Sequence, residues 1–231
     1  MPKMKPLKDI WNKSWDIYFK NFKSTSLLIV LLYLPLIILY LFAPYSMFKS
    51  NFLDGHWIFF IIALLFSIFI GTIISLSLTY KIYKSYKNTK IKIVDVIKFA
   101  LSKFWTTLGT TLLMILMLIG LFLLLIVPGI IFAVYWTFVI SVIIIKNLSG
   151  KKALDYSKSV VKKRWWKVLG YSIVLELIPI AITIIAMLCI SAYYPSNIGY
   201  CVYFIISLLA NVFMYVSQTV LFLELDKTKV N

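Results

Sequence analysis

The chain has 231 residues, of which 62% are hydrophobic and only 14% charged, and its mean hydropathy is +0.95. Soluble domains average about 45–50% apolar and about 25% charged residues, so a water-soluble fold of this size could not hide so much apolar surface. The net charge of +16 includes a single arginine, Arg164, which argues against bidentate recognition of nucleic acid and for basic loops facing anionic lipid.

Residues 1–24 carry too many charges for the apolar region of a signal peptide, and no small-residue cleavage site follows them. The first apolar runs cover about 26–44 and 57–80, each long enough to cross a bilayer. From Phe104 to Ile145 no charged residue occurs, with Lys103 before the run and Lys146 after it. One helix through it would be roughly 60 Å long, about twice the thickness of a hydrocarbon core. Two spans are therefore expected, about 106–127 and 129–145. Pro128 and Gly129 make the hairpin turn, because proline removes a backbone donor and glycine tolerates the bend. Runs at about 168–190 and 200–223 complete an all-α membrane protein of six transmembrane helices. Residues 1–231 read as one polytopic domain with no soluble domain.

The basic residues set the orientation. Every lysine and arginine except Lys49 lies in the N-terminal segment, the second-to-third connection, the fourth-to-fifth connection or the C-terminal tail. The positive-inside rule then puts both termini in the cytoplasm, with the protein expected in the plasma membrane. Trp57, Tyr193, Tyr194 and Tyr200 fit an outer aromatic belt; Trp105, Trp165 and Trp166 fit an inner one.

Three inward segments share a pattern: "NKSWDIYFKNF" (Asn12–Phe22), "DVIKFALSKFW" (Asp95–Trp105) and "DYSKSVVKKRW" (Asp155–Trp165). Superposed, they align Lys20 with Lys103 and Lys163, Ile17 with Ala100 and Val160, and Phe22 with Trp105 and Trp165. Each reads as a cytoplasmic amphipathic helix at the membrane interface. In the first, Leu7, Ile10, Trp11, Ser14, Trp15, Tyr18 and Phe22 form the stripe; in the third, Ala153, Leu154, Val160, Val161 and Trp165 do. One reading is a threefold internal repeat of interfacial helix plus two spans. The other is that any inward loop before a span collects lysine and tryptophan for topology alone.

"LLLIVPGIIFAVYWTFVISVIII" followed by "GKKALDYSKSVVKKRWWKVLG" resembles a broad group of bacterial and archaeal integral-membrane proteins. The group includes the membrane domain attached to some glycerophosphodiester phosphodiesterases. Pro128, Gly129, Ile130, Ala153, Leu154, Ser157 and Trp165 carry the resemblance, which covers roughly residues 90–175. No room remains for the catalytic domain of those enzymes. The resemblance thus implies a membrane module and transfers no catalytic residue.

Chemistry is sparse. His56 is the single histidine and reads as an interfacial polar residue; no two-histidine zinc motif and no phosphate-binding glycine loop occurs. No catalytic residue, cofactor or metal is expected. Cys189 and Cys201 flank the last outer loop, where either a disulfide or two small buried apolar residues would fit. Glu176 lies within a span, and counting along the helices puts Asn211 at a similar depth. A carboxylate there is expected to face the bundle, because hydrocarbon penalises its charged form. The pair reads as a clamp between helices or as a proton-linked or substrate-binding site, and a third reading has Glu176 facing a polar inner vestibule. Gln218 and Glu224 read as residues of the inner interface. Gly71, Ser75 and Thr79 step by four, the spacing of close helix contacts.

The function expected from this pattern is non-enzymatic interaction with lipid or a partner in envelope maintenance. Lys20, Lys103, Lys162, Lys163 and Arg164 are the candidate contacts to anionic lipid of the cytoplasmic leaflet. Alternatives are a small transporter or exporter component built around Glu176, and immunity against a membrane-active peptide. A membrane-protein partner or a homo-oligomer fits any of the three.

Overall fold

The computed structural model describes residues 4–42, 57–193 and 197–228. They form α1 (Leu7–Phe42), α2 (Trp57–Tyr86), α3 (Ile93–Leu124), α4 (Ile126–Tyr135), α5 (Val139–Lys146), α6 (Gly150–Val161), α7 (Trp165–Tyr193) and α8 (Asn197–Lys227). A short 3-10 turn, Lys162–Arg164, joins α6 to α7. No strand occurs among the described residues. Six stretches are long and apolar enough to cross a membrane, with α4 and α5 together making one of them. His56, Lys49 and Tyr194 lie outside the described residues.

The C-terminal half of α8 is the centre of the bundle. Val216, Val220, Leu221, Phe222 and Leu225 are buried there, and α8 packs along α7, α1 and α2. Phe222 meets Phe138 with ring centroids 5.7 Å apart. By contrast, α3 and α7 expose long apolar rows, including Leu112, Leu116 and Leu123 on one and Leu177, Ile184 and Leu188 on the other. Such rows are stable only against hydrocarbon, which explains their composition.

Two expected boundaries move. The interfacial helix at Asn12–Phe22 and the first span are one continuous helix, α1, about 54 Å long at helical rise. The same fusion joins Asp95–Trp105 to the third span within α3. Nothing interrupts either junction, because polar side chains there satisfy themselves within the helix. Ser24 Oγ donates to the Asn21 carbonyl at 3.2 Å, and Thr25 donates to the same oxygen. Only the third unit keeps a separate helix, α6.

The expected amphipathic faces exist but turn inward. Ile10 and Ser14 of α1 are buried, and Trp15 lies 4.3 Å from Phe213 of α8, ring to ring. Ala153, Leu154, Ser157, Val160 and Val161 of α6 are buried, and Ser157 Oγ donates to the Tyr135 carbonyl at 2.7 Å. Ile17, Ala100 and Val160, aligned in the sequence comparison, are all buried. Apart from the exposed Phe22, the apolar stripes therefore pack on the protein's own helices.

The hairpin turn falls at Leu125, not at Pro128 and Gly129. Leu125 is extended, with φ −158° and ψ 134°, between α3 and α4. Pro128 sits in the first turn of α4, where a missing N–H costs nothing because the first backbone donors have no partner within the helix. Gly129 serves close approach instead of bending: a Cβ there would lie 2.5 Å from the Phe122 ring. Farther on, Trp136 and Phe138 leave helical geometry and separate α4 from α5. Ser75 and Thr79 are buried as their spacing suggests, but nothing lies within 4 Å of a Cβ built on Gly71, so no tight contact forms there.

Candidate functional site

The chain's polar chemistry gathers at the end of the bundle where the first and last described residues meet. The start of α1, the end of α2, α6 and the end of α8 converge there. Glu224 of α8 is 3% exposed. Its carboxylate pairs with Lys5 at 3.3 Å, Lys13 at 3.5 Å and Lys227 at 3.9 Å, and accepts the Tyr86 hydroxyl. Lys13 also lies 3.9 Å from the centroid of the Tyr86 ring, and Lys227 Nζ lies 2.5 Å from the Tyr86 hydroxyl. Two residues on, Asp226 takes Lys146 at 2.6 Å and the Tyr156 hydroxyl at 2.6 Å. Glu224 persists buried because several charged donors converge on it, whereas Asp226 is only half-buried and takes one ammonium and one hydroxyl. These two tie α1, α2, α5 and α6 to α8.

The candidate lipid contacts divide by this geometry. Arg164 is a structural tie: its guanidinium donates to the Thr228 carbonyl at 2.6 Å and to the Thr228 hydroxyl. Lys103 donates to Asn147 Oδ1, the left-handed residue that closes α5. Lys20, Lys162 and Lys163 are exposed, and no carboxylate stands within ion-pair distance of them among the described residues. Trp105 and Trp166 are 76% and 78% exposed. Trp165 turns inward instead, its indole N–H donating to the Ile131 carbonyl at 3.1 Å.

Within the bundle, Glu176 and Asn211 do not meet. Glu176 Oε1 accepts from Gln218 Nε2 at 2.5 Å, while Asn211 Nδ2 donates to the Ser207 carbonyl of its own helix at 2.7 Å. The antiparallel register of α7 on α8 explains this. Glu176 sits 11 residues after Trp165 at the start of α7, and Gln218 sits 9 residues before Lys227 at the end of α8. Asn211 is seven residues farther out, about 10 Å along the axis. It lines a cavity of about 250 Å³ with Tyr33, Tyr215, Ile29, Ile74 and Leu208. Gln218 Oε1 is buried, with no hydrogen-bond partner among the described residues. Cys189 is exposed and Cys201 buried, and both are free thiols.

A larger cavity, of about 360 Å³, opens between α1 and α2 near the same polar end. Lys20, Asn21, Ser24, Lys81, Ser85 and Lys90 line it. Asn21 Nδ2 donates to Ser85 Oγ at 2.7 Å, and Lys81 Nζ donates to Ser24 Oγ at 2.6 Å. The sequence drew no attention to Lys81. Its signal was position: a lysine one residue past an apolar run, on the same helical face as Ser77 and Ser85.

No group of three or more metal-ligating side chains occurs among the described residues. Fold and polar end together define a multi-pass helical membrane protein whose helices are stapled at one end by one buried and one half-buried carboxylate. Comparison with family models, curated proteins and solved structures returned no match.

Proposed function

We propose that this is a non-enzymatic membrane protein that engages anionic lipid through its basic end, which faces the cytoplasm. The observation that carries the reading is the division of the cations. A subset neutralises Glu224 and Asp226, while Lys162 and Lys163 stand exposed near Trp166 with no carboxylate within ion-pair distance among the described residues. Lysines at a membrane surface bind an anionic leaflet with an attraction of about 1 kcal/mol each, lost as salt rises. The apolar stripes of α1 and α6 are used inside the protein, so this engagement is electrostatic and aromatic rather than an insertion of those helices. The resemblance of residues 90–175 to membrane modules attached to soluble enzymes supports a role in interaction.

The test replaces Lys162 and Lys163 with glutamine and leaves Arg164 in place, because Arg164 holds Thr228. The full chain, reconstituted with its basic end outward, is mixed with vesicles containing phosphatidylglycerol. Capture of those vesicles should fall about 25-fold at low salt, from about fivefold per lysine. Capture equal to the unsubstituted protein would sink the reading.

A transporter reading has one observation in its favour, the cavity at Asn211 with its two tyrosines. On that reading Asn211→Leu abolishes flux of a transported solute in proteoliposomes while Glu176→Gln, whose hydrogen bond to Gln218 survives, leaves it intact.

A further inference from the structure

We propose that the cavity between α1 and α2 is a binding site for a phosphate group, with Lys81 as its buried anchor and Lys20 and Lys90 as its rim. Lys81 is only 6% exposed. Its partner among the described residues is the neutral hydroxyl of Ser24, at 2.6 Å. An ammonium offers three donors, and burying one without a counter-charge is costly enough that such residues mark sites of function in membrane proteins. Every carboxylate of the described residues that pairs with a lysine is held elsewhere, Glu224 by α1 and α8 and Asp226 by Lys146.

The walls match one kind of occupant. Three lysines converge on the space, no acidic side chain lines it, and Asn21, Ser24 and Ser85 supply neutral hydrogen-bonding groups. A tetrahedral phosphate with several acceptor oxygens uses both kinds of donor at once, and lysine binds it as a point charge. The volume of about 360 Å³ is in the range of small-molecule sites and exceeds what a bare ion needs. The phosphate therefore arrives either on a lipid headgroup or as a free phosphate compound. The proposal deepens the lipid reading and rests on it only for the headgroup source. The surface formed by Lys162 and Lys163 is separate from this cavity.

The experiment uses the full chain purified in a phosphate-free, non-ionic detergent. One arm adds phosphatidylglycerol, with diacylglycerol as the phosphate-free comparison, and counts retained lipid by native mass spectrometry. The other arm titrates inorganic phosphate by calorimetry. Retention of phosphatidylglycerol alone identifies a headgroup site; phosphate binding that displaces the lipid identifies a site for the free anion as well. In either case Lys20→Gln with Lys90→Gln should weaken binding about 25-fold, and Lys81→Gln should abolish it. Because Lys81 is buried, the exposed pair carries the decision if Lys81→Gln does not fold. The proposal is overturned if neither ligand binds, if diacylglycerol is retained equally, or if the folded Lys20/Lys90 variant binds like the unsubstituted protein. Vesicle capture that ignores Lys162→Gln and Lys163→Gln, alongside intact phosphate binding, would remove the surface reading and leave this one standing.

Discussion

Two regions at the same end of the bundle handle buried charge in opposite ways. Around Glu224 an acid is surrounded by Lys5, Lys13, Lys227 and the Tyr86 hydroxyl, so the protein completes the cluster by itself. Around Lys81, among the described residues, a base meets the neutral Ser24 hydroxyl and open cavity, so the chain supplies no counter-charge there. The first arrangement holds helices together; the second leaves a charge available. Both cost desolvation, but only the first recovers it within the chain.

The largest expected effect comes from breaking the complete cluster. Glu224→Ala should lower unfolding free energy in detergent by about 2–3 kcal/mol. The freed lysines can turn to water, but the Tyr86 hydroxyl loses its acceptor. Denaturant titration followed by tryptophan fluorescence measures this, and an unchanged midpoint would show that the cluster is not a staple. Next comes Arg164→Ala, which removes two charge-assisted bonds to Thr228 and should cost about 1–2 kcal/mol in the same titration. The incomplete cluster should respond with the other sign. Lys81→Met, measured without phosphate, should raise stability by about 1 kcal/mol, because it deletes a buried charge that the chain does not neutralise. A fall there would make Lys81 structural and erase the contrast. Smallest of all, Lys162→Gln with Lys163→Gln should shift stability by less than about 0.5 kcal/mol, since both side chains are exposed.

The spans were legible because length and apolarity alone decide whether a helix crosses a bilayer. Those quantities survive any uncertainty about which face packs where. Contacts between helices were less legible. Glu176 was recognisable as a residue needing a partner, but choosing Gln218 over Asn211 needs the register of α7 on α8, which no single sequence displays. The hairpin was misplaced by three residues because proline was read as a breaker, whereas at Pro128 it occupies the helix turn that tolerates it. Amphipathic stripes in α1 and α6 were read from their period, which is the same whether the stripe meets lipid or protein. Burial of Lys81 was invisible because lysines flanking spans are ordinary topology signals. Only the packing of α1 against α2 sets this one apart.

The central position of α8 also orders events during biosynthesis. Ile10, Ile17, Leu28 and Ile29 of α1 belong to the core that α8 completes. Yet α8 leaves the ribosome about 10–40 s after α1, at ordinary translation speeds. Until then the first helix waits with an unfinished face. A chain cut short before residue 197 would carry five of the six candidate spans and lack the helix that completes their core.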